Sequence, residues 1–147
     1  MSNVSFSVVS ILHEWALAEA IIDAVLDVAK KENAEEVLEI NIVVGELQTI
    51  DLEIFKTALE SIKEETIARN AKINFISEEP CFKCNVCGYE WCIRNLKEEM
   101  NEEQIESVHF IPELVHVFIS CPRCGKHDFE ITKGRGLYLA SIRVKKK

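Results

Sequence analysis

Several features that define common protein classes are missing from this 147-residue chain. No apolar stretch approaches the roughly 20 residues of a membrane-spanning helix. The mildly apolar start, residues 1–12, contains neither Lys nor Arg and no small-residue cleavage pattern. No low-complexity tract interrupts the sequence, and apolar residues make up 48% of it. We therefore expect a cytoplasmic protein that does not bind membranes, with a core large enough for one ordinary domain or two small ones.

Clusters of basic residues and nucleotide-binding motifs are also scarce. The formal net charge is −8, and the only basic cluster is the tail formed by Arg143 and residues 145–147. Nucleic-acid-binding proteins normally present a basic face, so this composition argues against nucleic acid as a partner. The chain contains no Ser-His-Asp pattern, no glycine-rich phosphate loop and no Walker lysine, so we do not expect it to hydrolyse GTP itself.

The chain has six cysteines, all in its second half. Four of them form two C-x-x-C pairs, each followed by a glycine: Cys84, Cys87 and Gly88, then Cys121, Cys124 and Gly125. Two such pairs can supply the four thiolates of a tetrahedral zinc ion, and the glycine allows the tight turn beneath it. The sequence therefore predicts a closed, structural zinc site, worth on the order of 10 kcal/mol of folding free energy.

The remaining cysteines leave one ambiguity in the zinc ligands. Cys81 creates a second C-x-x-C register with Cys84, but the glycine after Cys87 favours the pair Cys84 and Cys87. We expect Cys81 to be a bystander and Cys92 to be a packed thiol. The interval between the two pairs, residues 88–120, is longer than in common zinc ribbons and indicates an inserted helix.

Hydrophobic periodicity predicts an α+β fold with an inserted zinc ribbon. It indicates helices at 13–31 and 51–68, with Asp51 as an N-cap, and strands at 37–44, 71–77 and 137–144. We expect two helices on this three-stranded sheet, forming a domain of residues 12–79 plus 134–147, with residues 1–11 as an extension. Residues 80–133 would form the zinc ribbon, with strands at 89–94 and 114–119 and a helix or surface loop at 95–107.

Five short segments carry a resemblance to a known family. They are HEWALAE at 13–19, VGEL at 44–47, FKC at 82–84, CPRCG at 121–125 and KGRG at 133–136. With them the chain resembles, over about residues 12–144, the HypA/HybF family of nickel-insertion chaperones for NiFe hydrogenase maturation. The resemblance implies His13 and Glu14 as nickel-site residues. It also implies His109 as an additional ligand, in a segment where archaeal members carry one.

The resemblance further implies partners. They are a HypB-type GTPase and the NiFe hydrogenase large-subunit precursor that receives the Ni²⁺ cargo, and we expect the chain to be a monomer or a weak homodimer. In the family the histidine directly follows the initiating methionine, whereas here Leu12 and an extension precede His13. Either translation starts at Leu12, or the extension is genuine and the site is rearranged around His13, Glu14 and His109. Because His13 and His109 fall in different predicted domains, we expect the zinc ribbon to be coupled to nickel binding.

Two other functions compete with this one. A zinc-ribbon adaptor or nucleic-acid-binding protein is compatible with the cysteine pairs, although the negative charge opposes nucleic acid. A zinc deaminase would use the P-C-x-x-C segment at residues 80–84 with a His-x-Glu pattern, but no residue separates His13 from Glu14. Of the remaining histidines, we expect His116 to be packed in a strand and His127 to lie near a zinc-bound sulfur.

Overall fold

The computed structural model describes the backbone of residues 2–147 and the side chains of residues 13–147. The chain forms two compact units. The first comprises Met1–Ile42, Ile50–Phe75 and Tyr138–Lys147, and the second comprises Val43–Thr49 and Ile76–Leu137. The role predicted for Leu12 falls outside the described side chains.

The order of elements follows the predicted α+β plan. In chain order they are α1 (Ser2–Lys31), β1 (Ala34–Gly45), α2 (Leu52–Lys63), β2 (Lys72–Glu78), β3 (Cys81–Cys84), β4 (Glu90–Cys92), α3 (Leu96–Glu99), α4 (Glu102–Phe110), a 3₁₀ turn (Pro112–Leu114), α5 (Val115–Phe118), β5 (Phe129–Lys133) and β6 (Leu137–Lys146). One three-stranded sheet has the order β2-β1-β6, and the other has the order β4-β3-β5. The predicted α+β fold, with two helices and a three-stranded sheet interrupted by an inserted segment that contains the cysteine pairs, is therefore confirmed.

The first unit is built from long elements with regular apolar spacing. Helix α1 buries Ala18, Ile21, Ile22, Val25 and Ala29, which form one face of a helix. It begins at Ser2, so the predicted start at residue 13 is wrong, while the predicted end at residue 31 is confirmed.

The N-cap of helix α2 is the one that the sequence predicts. The Asp51 side chain accepts hydrogen bonds from the amides of Glu53 and Ile54 at 3.0 and 3.2 Å. The helix ends at Lys63, earlier than predicted, and buries Phe55, Ala58 and Leu59.

The second unit packs its small sheet around aromatic side chains. In the antiparallel β3–β4 and β3–β5 pairs, Phe82 lies opposite Trp91 and Ile131. The Phe82 ring contacts the rings of Trp91 and Phe129, with centroids 5.3 and 5.2 Å apart. Apolar side chains from the short helices complete this core, namely Leu96, Met100, Val108, Val115 and Ile119.

Several predictions for the ribbon segment need correction. The strand predicted at 114–119 is wrong, because the chain there forms the 3₁₀ turn and α5. Its buried residues, Val115 and Ile119, are four positions apart, the spacing of a helix face. The segment predicted as a helix or loop at 95–107 is helical, and α4 begins with a capping box between Asn101 and Gln104. Strands β3 and β5 were not predicted.

Two glycines meet where the chain passes from β1 into the second unit and returns towards β6. A Cβ atom on Gly45 would collide with the carbonyl of Gly134, and one on Gly134 would lie 2.6 Å from the Cα of Pro80. Gly134 also has a φ of +86°, a conformation that favours glycine. The VGEL and KGRG motifs thus occupy a crossing where backbones approach too closely for side chains.

None of the helices formed by residues 2–147 has the length and apolar character of a membrane span.

Candidate metal centres

The two C-x-x-C pairs form matching backbone turns. In each, the glycine after the second cysteine donates its amide to the carbonyl of the first. Gly88 bonds Cys84 at 3.0 Å, and Gly125 bonds Cys121 at 2.8 Å. The two glycines have φ values of +78° and +76°, which other residues rarely adopt. The predicted reason for glycine at these positions is thereby confirmed.

The four thiols of these turns converge on one point. The Sγ atoms of Cys84 and Cys124 are 3.6 Å apart, and those of Cys87 and Cys121 are 3.7 Å apart. All four sulfurs lie within 4.8 Å of one another. In a tetrahedral zinc site with Zn–S bonds of about 2.3 Å, neighbouring sulfurs are about 3.8 Å apart. The cluster therefore fits a four-thiolate zinc ion, which would hold the two turns together and leave no position open for chemistry.

The pKa values of two of the four thiols indicate that the cluster needs a bound cation to be fully ionised. The amide of Cys87, followed by that of Val86, holds the pKa of the Cys84 thiol at about 6, so a thiolate forms there readily. At Cys124 the amide of Lys126 favours the thiolate, but burial and the neighbouring sulfurs outweigh it and raise the pKa to about 11. Four such close thiols cannot all ionise at neutral pH without a positive charge among them, and a bound divalent ion supplies it.

The remaining two cysteines form a disulfide. Cys81 and Cys92 are direct partners in the β3–β4 register, and their sulfurs are bonded. The prediction that Cys92 is a packed thiol is therefore wrong. The pairing could not be foreseen because β3 was not recognised as a strand. Neither cysteine belongs to the four-thiol cluster, which uses Cys84 and Cys87 from the first pair.

The two predicted nickel-site residues on α1 differ in their surroundings. His13 is exposed, whereas the side chain of its neighbour Glu14 is only 2% exposed and is engaged in an interaction. Both lie within the helix Ser2–Lys31, where amide groups donate to carbonyls four residues earlier. In this helix His13 presents its imidazole, while its backbone nitrogen is part of the helical hydrogen-bond pattern.

The third predicted nickel ligand, His109, is held in one orientation by the VGEL segment. Its Nε2 atom lies 2.6 Å from the carbonyl oxygen of Glu46. A carbonyl oxygen can only accept, so Nε2 carries the proton in this hydrogen bond, and in the neutral ring Nδ1 keeps its lone pair. A histidine that binds a metal commonly donates its other N–H to a carbonyl in this way.

Glu46 was not predicted as a site residue, although it lies in the VGEL motif and its carbonyl contacts the predicted ligand His109. Besides the carbonyl contact with His109, its carboxylate accepts a 3.4 Å hydrogen bond from Ser77. Burial raises the pKa of Glu46, and nearby Glu79 raises it further, against the effect of Ser77.

The other two histidines pack within the second unit. His116 lies on α5 and not in a strand, but it is packed as predicted, with its ring centroid 4.3 Å from that of Phe129. His127 directs Nδ1 to the carbonyl oxygen of Ile119 at 2.9 Å. That His127 lies near a zinc-bound sulfur stays a prediction.

Comparisons with known proteins identify the family of this chain. The family described as "Hydrogenase/urease nickel incorporation, metallochaperone, hypA" matches residues 12–144. The hydrogenase maturation factor HypA of Pyrococcus horikoshii is 52% identical over 135 residues, covering 92% of this chain and 97% of that protein. The corresponding factor of Pyrococcus abyssi is 49% identical with the same coverage.

A solved structure shows the same fold. The solution structure of the Ni metallochaperone HypA from Helicobacter pylori matches with a TM-score of 0.65, covering 91% of this chain and 98% of that one at 19% identity. At that identity the match speaks for the fold alone, whereas the family match and the two Pyrococcus relatives cover nearly the whole sequence. On this evidence the chain belongs to the HypA family of hydrogenase maturation factors and nickel-incorporation metallochaperones.

Proposed function

We propose that this chain binds Ni²⁺ through His13 and Glu14, with His109 as an additional ligand, and delivers it to the large-subunit precursor of a NiFe hydrogenase. It would act in the cytoplasm with a HypB-type GTPase as partner, and it would catalyse no reaction of its own. The observation that carries the proposal is membership of a nickel-incorporation family over residues 12–144. The net charge of −8 suits a cationic cargo and protein partners.

The exposure of His13 supports a role in carrying nickel. A carrier needs ligands from which the ion can be removed, and an exposed imidazole on a helix surface meets this need better than buried thiolates. Ni²⁺ favours planar arrangements of nitrogen donors. Closure of a planar site around His13 also requires backbone nitrogens, which the continuous helix α1 keeps in hydrogen bonds.

The position of the first residue therefore decides which nickel site can form. In a chain that starts at residue 12, the amides of His13 and Glu14 would fall in the first helical turn, where amide groups lack helical partners. The terminal amine, these amides and the His13 imidazole could then form fused rings around Ni²⁺. Glu14 would contribute its backbone nitrogen, while its buried carboxylate would stabilise the helix.

His109 supports the proposal through its orientation. The hydrogen bond to the carbonyl of Glu46 fixes the ring and places the free lone pair on Nδ1. His127 is a useful contrast, because its own ring nitrogen is likewise bonded to a carbonyl, that of Ile119, yet the family resemblance gives it no nickel role.

The test is Ni²⁺ titration by calorimetry on zinc-loaded protein. Wild type, His13→Ala, His109→Ala and the matched control His127→Ala would be compared, together with a chain in which Met replaces Leu12 as the first residue. We expect His13→Ala to abolish the nickel site and His109→Ala to weaken it at least tenfold, since even outer-shell partners of a metal contribute about 10–100-fold. His127→Ala should match wild type, and the shortened chain should bind more tightly.

Two outcomes would contradict the proposal. Nickel affinity that is unchanged in His13→Ala would remove the proposed site. Zinc without any nickel binding, in both the long and the short chain, would favour the adaptor function instead. If only His109→Ala behaves like wild type, including in the presence of the GTPase, His109 is not a ligand and the site is confined to the N-terminal motif.

A further inference from the structure

A second group of metal-binding side chains lies apart from the four-thiol cluster. Cys81 and Cys92 face each other across β3 and β4, and a carboxylate oxygen of Glu79 lies within 4.8 Å of both sulfurs. The main-chain oxygen of Glu79 is 4.0 Å from the Cys81 sulfur. Two sulfurs and a carboxylate are thus gathered where β3 begins, and the proposed nickel function uses none of them.

Strand geometry separates this group from the predicted zinc site. The β3–β4 register pairs Cys81 with Cys92 and, one residue further, Phe82 with Trp91. Strand β3 is irregular between Cys81 and Phe82, and the cysteine pair lies at its start, whereas Cys84 of the four-thiol cluster ends it. Neither sulfur is among the four that converge between the C-x-x-C turns.

The disulfide is accessible to a reductant. Cys92 is exposed, and both cysteines line a cavity of about 280 Å³ together with Glu90 and Lys133. A second cavity, of about 320 Å³, adjoins Cys92 on the side of Arg94. Exposed disulfides are more easily reduced than buried structural ones, because an attacking thiolate must reach one of the two sulfurs.

We propose that Cys81, Cys92 and Glu79 form a redox-controlled site for a thiophilic divalent cation. A dithiol reductant converts the disulfide to two thiols and is itself oxidised to a disulfide, so two electrons and two protons pass to the cysteine pair. The cation then displaces the two thiol protons and binds both thiolates and the Glu79 carboxylate. In the reverse step a disulfide oxidant accepts two electrons from the two thiolates and, with two protons from water, becomes two thiols, while the S–S bond between Cys81 and Cys92 forms again and the cation is released.

The donor set predicts the behaviour of this site. Two thiolates favour zinc-like ions over magnesium or calcium. Three protein ligands leave a fourth position for water, so the cation should exchange faster than one enclosed by four thiolates. The inference does not depend on the proposed nickel site, because no histidine takes part in it.

Co²⁺ is a suitable probe, since thiolate ligands give it a charge-transfer absorption that histidine and carboxylate ligands do not. Full-length protein carrying one zinc ion would be reduced by a dithiol, freed of the reductant and titrated with Co²⁺, in parallel with protein whose disulfide is intact, and zinc content would be measured throughout. We expect one additional equivalent of thiolate-bound Co²⁺ in the reduced protein and none in the oxidised protein.

Variants test the assignment of ligands. Cys92→Ser should lose the additional Co²⁺ while keeping its zinc, which also shows that the ribbon is folded. Glu79→Gln should weaken Co²⁺ binding at least tenfold. Glu90→Gln, a matched control in the same cavity, should have no effect. Absence of thiolate-bound Co²⁺ from reduced wild type would overturn the proposal, and so would its retention in Cys92→Ser.

Discussion

The two units of this protein keep their structure by different means. The first unit has a helix of 30 residues and most of a strand of 12, with buried apolar residues of α1 spaced from Ala18 to Ala29. The second has strands of three to five residues and helices of four to nine. Elements this short are marginal without tertiary support. The comparison suggests that the first unit folds on apolar packing, whereas the second also needs covalent or metal cross-links.

The distribution of cysteine agrees with this division. All six cysteines of the chain lie within Ile76–Leu137 of the second unit. Four converge between two turns, and the other two link the first strands of the small sheet. A metal-dependent second unit and a metal-independent first unit would let the ribbon respond to metal or redox conditions without unfolding α1, the helix that carries His13.

Removal of the metal should have the largest effect, because it should unfold the second unit and leave the first folded. We expect a chelator, or Cys84→Ser, to cost the second unit on the order of 10 kcal/mol and to unfold it, because its folding would be coupled to zinc binding. Amide hydrogen exchange would follow both units. Protection should disappear from β3, β4 and β5 and remain in α1 and α2.

The control for this prediction is Cys92→Ser, which removes the disulfide but leaves the four-thiol cluster. It should retain zinc and protection in the ribbon. If chelation left β3 to β5 protected, the apolar core of the second unit would suffice for its folding, and the distinction between the units would be wrong.

A matched pair of core mutations would test whether the stability of each unit depends on zinc. Phe55 in the first unit and Phe82 in the second are both fully buried. Each Phe→Ala change should cost about 3–5 kcal/mol through the cavity it leaves. If folding of the second unit is coupled to zinc binding, the lost stability appears as weaker zinc binding. Phe82→Ala should therefore lower the apparent zinc affinity by about two to four orders of magnitude. Phe55→Ala should lower the melting temperature of the first unit and leave zinc affinity unchanged, as competition with a chelator would show.

The same contrast explains what could be predicted from the sequence. The end of α1, the Asp51 cap and the strands of the first sheet follow from regular periods of 3.6 and 2 over long segments. The residues of the four-thiol cluster follow from C-x-x-C spacing and the glycine after each pair. These signals are local, so tertiary contacts were not needed to find them.

The features that escaped prediction depend on contacts distant in sequence. The disulfide requires the register of β3 against β4, and β3 has only four residues. Residues 114–119 are a short apolar run that fits a strand or a helix, and only the burial of Val115 and Ile119 distinguishes them. The contact between His109 and Glu46 joins two motifs 63 positions apart.

Helix caps provide a smaller test of the same idea. Asp51 caps α2 in the first unit, and Asn101 caps α4 in the second, accepting from the amide of Gln104 at 2.8 Å. Replacement of either by Ala should cost about 1 kcal/mol. Asn101→Ala should therefore weaken zinc binding roughly fivefold if folding and metal binding are coupled, while Asp51→Ala should not change it. Equal zinc affinities in the two variants would count against the coupling.

The smallest expected effect is a pH dependence that comes from Glu46 in the second unit. Burial raises its pKa above the ordinary value near 4.5. A carboxyl group with a raised pKa in the folded state contributes stability at low pH, and this contribution is lost as the pH rises through that pKa. In the Glu46→Gln variant the side chain is neutral at every pH, and the backbone carbonyl that accepts the hydrogen bond from His109 is kept. The melting temperature of this variant relative to wild type, measured on zinc-loaded protein, should therefore increase as the pH rises from about 4.5 through the raised pKa of Glu46. A difference that stays constant or falls over this range would mean that the carboxylate is stabilised by its surroundings, and burial would not be the dominant influence at this position.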